Sequence, residues 1–420
     1  MPKSSSPKII SYGCRLNTFE SEVMRGHAKK AGLKNTIIFN TCAVTSQAEQ
    51  NARSHIKKIR RQQPDVRIIV SGCAAQIAPV VFQNMPEVDL VLGNEEKLEP
   101  KNYLQANSEE KIIVSDIMQV REIAGHLITG FESHSRAFIQ IQQGCNHRCT
   151  FCIIPFGRGN NRSIPIKHIA EQINNLTNNG YREVVMTGVD ISSYGIDLIG
   201  EPTLGQMIRQ LLLLAPNLER LRLSSLDPAI LDEDLLELIA NEPRVMPHIH
   251  FSVQAGSDLI LKRMKRRHNR QDVIKLCKQM KKNRTNIVFG ADLITGFPTE
   301  TEEQFNETID LVDEAGLTYL HVFPYSPRPG TPAAKMPQID VNIRKYRSAA
   351  LRQKGEKMRT KYFEKLNGKI EKVLVEGKNR GYTETYAPVS LKNNHNQGEI
   401  ISVKITSASA GGLVAENIPT

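Results

Sequence analysis

The cysteines carry the most chemical information in this sequence. Cys145, Cys149 and Cys152 share one short stretch, Gly144-Cys145-Asn146-His147-Arg148-Cys149-Thr150-Phe151-Cys152, with C-x3-C-x2-C spacing. Three thiolates in one loop can hold three irons of a 4Fe–4S cluster and leave the fourth iron open to a small ligand. A structural zinc site normally takes four ligands, and His147 sits inside the loop, poorly placed to share an ion. A ferredoxin-type carrier takes four cysteines per cluster. A second trio, Cys14, Cys42 and Cys73, recurs at intervals of about thirty residues. Three such thiols brought together would suit a metal or an iron–sulfur cluster. The seventh, Cys277, falls at helical spacing with Val273 and Ile274 and reads as core.

The second trio depends on the elements that carry it. Lys8–Tyr12, Thr36–Asn40 and Arg67–Ser71 read as strands, each running directly into one of the three cysteines. Asn17 and Glu20, then Ser46 and Glu49, have capping-box spacing ahead of helical patterns, and Gln76–Phe82 reads as helical. With a fourth strand at Asp89–Leu92 this is β-α-β-α-β-α-β, which predicts a parallel sheet with right-handed crossovers. All three cysteines would then lie at the carboxyl edge of that sheet, where such folds bind ligands. Gly13 and Gly72 would permit close backbone approach there.

The chain has 420 residues, 40% hydrophobic and 24% charged, which fits a folded protein of several domains. No apolar run approaches the ~18 residues of a membrane span. Met1–Pro7 is polar and leads straight into a strand, so a cytoplasmic setting with reduced thiols is expected. Trp is absent and aromatics are 5%, which argues against base stacking as the main theme. The net charge of +11 is concentrated: residues 258–284 carry +9 and residues 341–380 another +9, leaving −7 elsewhere. Such runs suggest a polyanionic partner, most simply nucleic acid. Val341–Leu366 reads as a long basic helix. Strands follow at 371–376, 383–389, 399–406 and 413–415, a small β-barrel of the OB-like kind.

The C-x3-C-x2-C loop, with aromatic Phe151 before its last cysteine, resembles that of the radical S-adenosylmethionine (SAM) enzymes. The segments from 137 onward fit that family's partial (β/α)6 barrel, with strands at 137–141, 183–186, 220–224, 248–253, 287–293 and 319–323. Functional groups belong at the strand carboxyl ends. Thr187-Gly188-Val189-Asp190 stands where the family has a glycine-rich acidic motif for the amino group of SAM, here in degenerate form. Thr187, Gly188, Asp190, Ser224, Gln254 and Asp292 are the implied SAM contacts, beside Phe151. Gly381-Tyr382-Thr383-Glu384-Thr385-Tyr386 resembles the signature of the RNA-binding TRAM domain. The expected architecture is α/β, with a parallel-sheet domain (1–125), a radical SAM barrel with its basic helix (126–365) and a TRAM-like module (366–420).

Tyr12-Gly13-Cys14-Arg15-Leu16-Asn17, Asn40-Thr41-Cys42 and Gly72-Cys73-Ala74-Ala75-Gln76, together with the loop at 145–152, resemble the methylthiotransferases nearly end to end. Residues 222–228 and 321–332 are most similar to the tRNA enzymes acting on N6-threonylcarbamoyladenosine. The resemblance implies insertion of a methylthio group at carbon 2 of that base, just 3′ of the anticodon. Cys145, Cys149 and Cys152 would bind the 4Fe–4S cluster that cleaves SAM to a 5′-deoxyadenosyl radical. Cys14, Cys42 and Cys73 would bind a second cluster presenting the sulfur, which a second SAM methylates. Isopentenyladenosine or a ribosomal protein is the alternative substrate, and an RNA-binding iron–sulfur carrier or sensor the alternative class. The implied partners are a tRNA anticodon arm, a reductase or flavodoxin-like electron donor and a sulfur donor, with no membrane. Arg263, Arg266, Arg267, Lys369, Tyr382 and Tyr386 are the candidate RNA contacts. Anaerobic reconstitution should give about eight irons per chain, and replacing Cys14, Cys42 and Cys73 with Ala about four, with SAM cleavage retained. Iron remaining near eight in the triple variant would refute the N-terminal assignment.

Overall fold

The computed structural model describes residues 6–104, 110–121, 123, 125–126, 128, 130–131 and 134–418; Met1–Ser5 of the polar leader lie outside them. The N-terminal region runs β1 (Lys8–Ser11), α1 (Arg15–Lys30), β2 (Thr36–Thr41), α2 (Ser46–Gln62), β3 (Arg67–Gly72), α3 (Cys73–Ile77), α4 (Pro79–Gln83), β4 (Leu90–Leu92), α5 (Lys101–Leu104) and β5 (Ile112–Ile113). Its five strands are parallel, in the order β1-β2-β3-β4-β5. The fifth strand was not expected, because two residues carry no readable period. β2 is buried along its whole length, as a strand covered on both faces must be.

Three local expectations change. The first helix starts at Arg15 with Cys14 at its N-cap, not at Asn17, whose side chain instead donates to the carbonyls of Tyr12 (2.6 Å) and Thr41 (3.1 Å). Thr45, not Ser46, caps α2, and Glu49 pairs with Arg328 of the central region. The crossovers do not all share one hand. Met24 and Ala28 of α1 pack with Ile38 and Ile69, whereas Ile56 and Ile59 of α2 pack with Phe39, Ile68 and Val70 on the opposite face. Two steps in the same direction with helices on opposite faces have opposite hands. The reason is visible in α1, whose polar residues Asn17 and Glu20 are buried against the central region.

The central region contains β6 (Arg136–Gln140), β7 (Gln142–Gln143), α6 (Ile154–Arg158), β8 (Arg162–Ser163), α7 (Ile166–Asn178), β9 (Glu183–Thr187), α8 (Leu204–Leu214), β10 (Arg220–Leu223), α9 (Glu233–Asn241), β11 (His248–Gln254), α10 (Asp258–Arg263), α11 (Arg270–Asn283), β12 (Val288–Thr295), α12 (Glu302–Glu314), β13 (Leu317–Pro324) and α13 (Val341–Glu364). Parallel sheets β6-β9-β10 and β11-β12-β13 are joined by bridges Leu221–Val245 and Leu226–Phe251 into one six-stranded partial barrel. One apolar core, with Cys277 in it, lies between strands and surrounding helices.

The opposite, inward face is polar where barrels are usually filled with Val, Ile and Leu. Glu183 is fully buried there and faces Arg222 (2.7 Å), Arg136 (3.6 Å) and Arg220 (3.6 Å). The C-terminal strands β14 (Ile370–Gly377), β15 (Arg380–Thr383), β16 (Pro388–Leu391), β17 (Ile400–Ser409) and β18 (Gly412–Asn417) form a closed barrel. The single strand expected at 383–389 is two strands with a turn between them, where Tyr386 takes φ 68°. This module seats on the strand amino ends: Arg222 donates to the Thr383 and Glu384 carbonyls (2.9 and 2.8 Å), and Arg136 pairs with Glu376 (2.6 Å).

Burial raises the Glu183 carboxyl, but Arg222 and Arg136 outweigh it and hold the group below its ordinary range. Its stabilising contribution is therefore complete above the unfolded value, about 4.3, and is lost as pH falls through the depressed folded value. Glu183→Ala should cost about 3–5 kcal/mol at neutral pH by removing the buried carboxylate on which three guanidinium groups converge. Denaturant titration should show that deficit flat above about pH 4.3 and shrinking below it; a deficit that grows on acidification would refute this account.

Candidate functional site

The loop bearing Cys145, Cys149 and Cys152 leaves β7 and is folded back by Gly144, at φ 72°, where a side chain would strike the Asn160 carbonyl. Thr150 pins the loop to the far side of the barrel, its amide donating to the Met264 carbonyl (3.1 Å) and its hydroxyl to the Arg263 carbonyl (2.8 Å). Phe151 packs on Ala255, Ile260, Phe297 and Tyr325. Asp190 reaches the loop: its carboxylate lies 3.5 Å from Cys145 Sγ and accepts from Ser193 Oγ at 2.9 Å. The Val189 and Asp190 amides are both held by the Gln142 side chain at 2.9 Å. Gly188 is required for that approach, since a Cβ there would sit 2.8 Å from Gln142 Oε1. Thr187 is buried at the end of β9, while Ser224 and Gln254 are half-buried at the ends of β10 and β11. Gln254 takes φ 78°, a strained conformation for a residue with a side chain.

Arg266 and Arg267, expected to face RNA, turn inward. Both bind Asp227 (3.1 and 2.7 Å), and Arg266 also reaches Cys149 Sγ at 3.5 Å. Burial alone would raise Asp227, but His268 and the two arginines hold it well below the carboxylate range. Arg263 is tied to the Thr299 hydroxyl (2.8 Å). Tyr382 and Tyr386 likewise face the barrel. Tyr386 stacks on His248 (5.1 Å), and the Arg136 guanidinium lies 4.8 Å from each of the two tyrosine rings. Local charge, which singled out the arginines, does not reveal the buried acid that captures them. Lys369 is exposed.

Cys14, Cys42 and Cys73 stand at the carboxyl ends of β1, β2 and β3. Cys14 is exposed, Cys42 and Cys73 buried. At Gly13, φ 98°, an added Cβ would lie 2.8 Å from Cys42 Sγ, so only glycine lets these two loops meet. Cys73 Sγ accepts from Arg158 Nε (3.0 Å) and lies 3.7 Å from Asn94 Nδ2. Arg158 ends α6, the helix that immediately follows Cys152. Its guanidinium also holds Glu20 and Asn17, and Gln143 Oε1 at 3.1 Å. Lys97, fully buried, completes the group through Glu20 (2.6 Å), Asn94 (2.8 Å) and Asn40 (3.1 Å). Burial opposes the charge on Glu20, yet Arg158 and Lys97 hold its carboxyl below the usual range. Sequence reasoning missed this group; its one signal was polar Asn17 and Glu20 on the apolar face of Leu16, Phe19, Val23 and Met24.

The donor sets fit iron–sulfur clusters. Among the described residues, the group whose ligand atoms all lie within 4.8 Å is His250, Asp292 and His321, so neither cysteine trio is drawn as tightly as one zinc ion would require. A cubane spreads its ligands wider, and cationic or N–H donors on the sulfurs, as at Cys73 and Cys149, tune such clusters. Burial pushes the metal-free Cys42 thiol up to about 11 and those of Cys145 and Cys152 to about 12. Asp292, the remaining SAM candidate, binds His250 Nε2 (3.0 Å) and His321 Nδ1 (3.2 Å) on the inward face of the barrel.

Arg158→Lys keeps a charge but cannot span Glu20, Asn17, Gln143 and Cys73 together. It should lower reconstituted iron from about eight towards four per chain while SAM cleavage persists. Full iron loading in this variant would sink the role given to Arg158.

Comparison with known proteins agrees with this construction. A model for the radical SAM superfamily matches residues 139–312, and one described as uncharacterized protein family UPF0004 matches residues 7–93. The chain is 51% identical over 404 residues, 96% of each protein, to the threonylcarbamoyladenosine tRNA methylthiotransferase MtaB of Rickettsia prowazekii (strain Madrid E). It is 34% identical to the MtaB of Aquifex aeolicus (strain VF5), covering 94% of this chain and 98% of that one. It is also 34% identical to the tRNA-2-methylthio-N(6)-dimethylallyladenosine synthase of Clostridium tetani (strain Massachusetts / E88), covering 98% and 96%. Among solved structures, the radical SAM methyltransferase TsrM from Kitasatospora setae shares the fold with TM-score 0.58 at 15% identity, over 79% of this chain and 77% of that one. With a cysteine loop on a partial barrel, a second trio on a parallel sheet and 51% identity along nearly its whole length, the chain belongs to the radical SAM methylthiotransferases of the threonylcarbamoyladenosine tRNA type.

Proposed function

We propose that this protein adds a methylthio group to carbon 2 of N6-threonylcarbamoyladenosine next to the anticodon of tRNA. The observation that carries the reading is Arg158. It begins from the loop of one cysteine trio and ends on a sulfur of the other, so both sites are built against one shared wall. Carbon 2 of adenine has neither an acidic proton nor a leaving group, so an ordinary side-chain base cannot start the reaction. When bound, a 4Fe–4S cluster with SAM supplies one-electron chemistry that can break such a C–H bond.

The chain's own residues do the positioning. Cys145, Cys149 and Cys152 would hold one cluster, with Arg266 donating towards Cys149 and Asp190 standing beside Cys145. Thr187, Gly188, Asp190, Ser224 and Gln254, on neighbouring strand ends, would line the SAM site, with Phe151 fixing the loop against the barrel. Cys14, Cys42 and Cys73 would hold the second cluster, with Arg158 and Asn94 donating to Cys73. Exclusion of water follows from the buried polar wall between them. Exposed lysines, Lys369 among them, would meet the tRNA backbone. An electron donor of reductase or flavodoxin type and a sulfur donor complete the requirement. No helix among the described residues is long and apolar enough to cross a membrane, and we place the enzyme in the cytoplasm with its tRNA.

Mass spectrometry of tRNA nucleosides from cells with and without the gene is the decisive measurement. Loss of 2-methylthio-N6-threonylcarbamoyladenosine, with its unthiolated precursor accumulating, is expected. An unchanged nucleoside profile would overturn the proposal, and loss of the isopentenyl derivative instead would reassign the substrate.

A further inference from the structure

The inward face of the barrel holds a polar group that neither cysteine site uses. His250 Nε2 and His321 Nδ1 converge on the same oxygen of Asp292, at 3.0 and 3.2 Å, with their rings 4.5 Å apart. Ser225 Oγ approaches the other Asp292 oxygen at 3.3 Å. The three are not equally enclosed: His250 and Asp292 are 8% and 21% exposed, but His321 is 60% exposed. Its Nε2 has no hydrogen-bond partner among the described residues. Asp292 and His321 are register partners on β12 and β13, three residues below the carboxyl ends where β12 finishes at Thr295. That places them about 10 Å beneath the rim.

Side chains on β13 alternate, and the contacts fix which set points inward. Leu320 packs on Gly355 of α13 outside the barrel, whereas Tyr319 meets His248 and His321 meets His250 inside it. Phe323 therefore projects inward, one pleat above His321, and is 39% exposed. Two residues along a strand span roughly 7 Å. An aromatic ring open to the chamber and a histidine one pleat deeper suit a planar base that carries a polar substituent. Tyr319 adds a buried hydroxyl without a partner on the same face.

Threonylcarbamoyladenosine differs from alkylated adenosines in just this respect, since its substituent ends in an amino-acid carboxylate and hydroxyl. We propose that His321, held in place by Asp292, is the specificity-determining residue that receives the threonyl carboxylate while the adenine lies against Phe323. The proposal rests on the substrate reading above. An imidazolium between two carboxylates satisfies both ring nitrogens, one on Asp292 and one on the substrate. Asp292 fixes the ring, so that Nε2 faces the chamber.

The test uses the reconstituted full-length enzyme and two anticodon stem-loops, one carrying threonylcarbamoyladenosine and the other its threoninamide counterpart, whose carboxylate is replaced by an uncharged amide. Wild type should prefer the carboxylate by about ten- to a hundred-fold in kcat/KM, the range of a hydrogen bond to a charged group. His321→Gln should collapse that preference towards one, chiefly through KM for the carboxylate RNA, and His321→Lys should restore part of it. Iron content and thermal unfolding matching wild type would show that both variants fold. A preference that survives in His321→Gln, or a wild type indifferent to the two RNAs, overturns the proposal. So does zinc or iron bound beyond the two clusters and lost in His321→Gln. A wild type that modifies neither RNA overturns the substrate reading, and this assignment with it.

Discussion

A cluster of buried charges holds this molecule together at its centre. Arg158, Lys97 and Glu20 are all removed from solvent, and burying each costs several kcal/mol unless every donor and acceptor is matched. Asn17, Asn40, Asn94 and Gln143 supply most of the matching. Two cations against one carboxylate leave a positive excess, and the next acceptor in line is the sulfur of Cys73. The electrostatics of the group are therefore complete when that sulfur carries negative charge, as a cluster ligand does. The hand of the first crossover follows from the same constraint. α1 must lie between its own sheet and the barrel, because Glu20 is one pole of the ion group.

The barrel interior repeats the theme with a different centre. Glu183 on β9 faces three arginines from the two flanking strands, and backbone carbonyls and rings of the C-terminal module lie against Arg136 and Arg222. That module works first as a polar stopper for the strand amino ends. The polar lining continues through His248, His250, Asp292 and His321 across the remaining strands. A barrel lined in this way gains little from hydrophobic filling, so its apolar stabilisation comes from the helices outside.

Strand positions and cysteine placement were legible because both depend on local pattern. Apolar runs ending in a cysteine gave the edge of the parallel sheet, and the helices between them were long enough to show their period. Capping was misread where residue type and role diverged. Asn17 and Glu20 have the spacing of a cap, but Glu20 meets Lys97 and Asn17 meets Arg158, partners 77 and 141 residues away. Arg266, Arg267, Tyr382 and Tyr386 likewise hold partners that local pattern does not show: Asp227, His248 and Arg136 are distant in sequence and near in space. Alternation in Arg220-Leu221-Arg222-Leu223 resembles a strand with one wet face, when that face is the interior of the barrel.

The seating of the C-terminal module bears on when the protein can finish folding. The carbonyls that take up Arg222 belong to Thr383 and Glu384, the carboxylate beside Arg136 to Glu376, and Arg15, next to Cys14, touches the Tyr386 hydroxyl at 3.5 Å. These partners are made last by the ribosome, whereas the residues that need them are made early. The barrel floor therefore gains its last partners only when nearly the whole chain has been made. The cysteine trio itself takes its partners from Asn94 and Arg158, so it can close before the module that seats the barrel floor has been made.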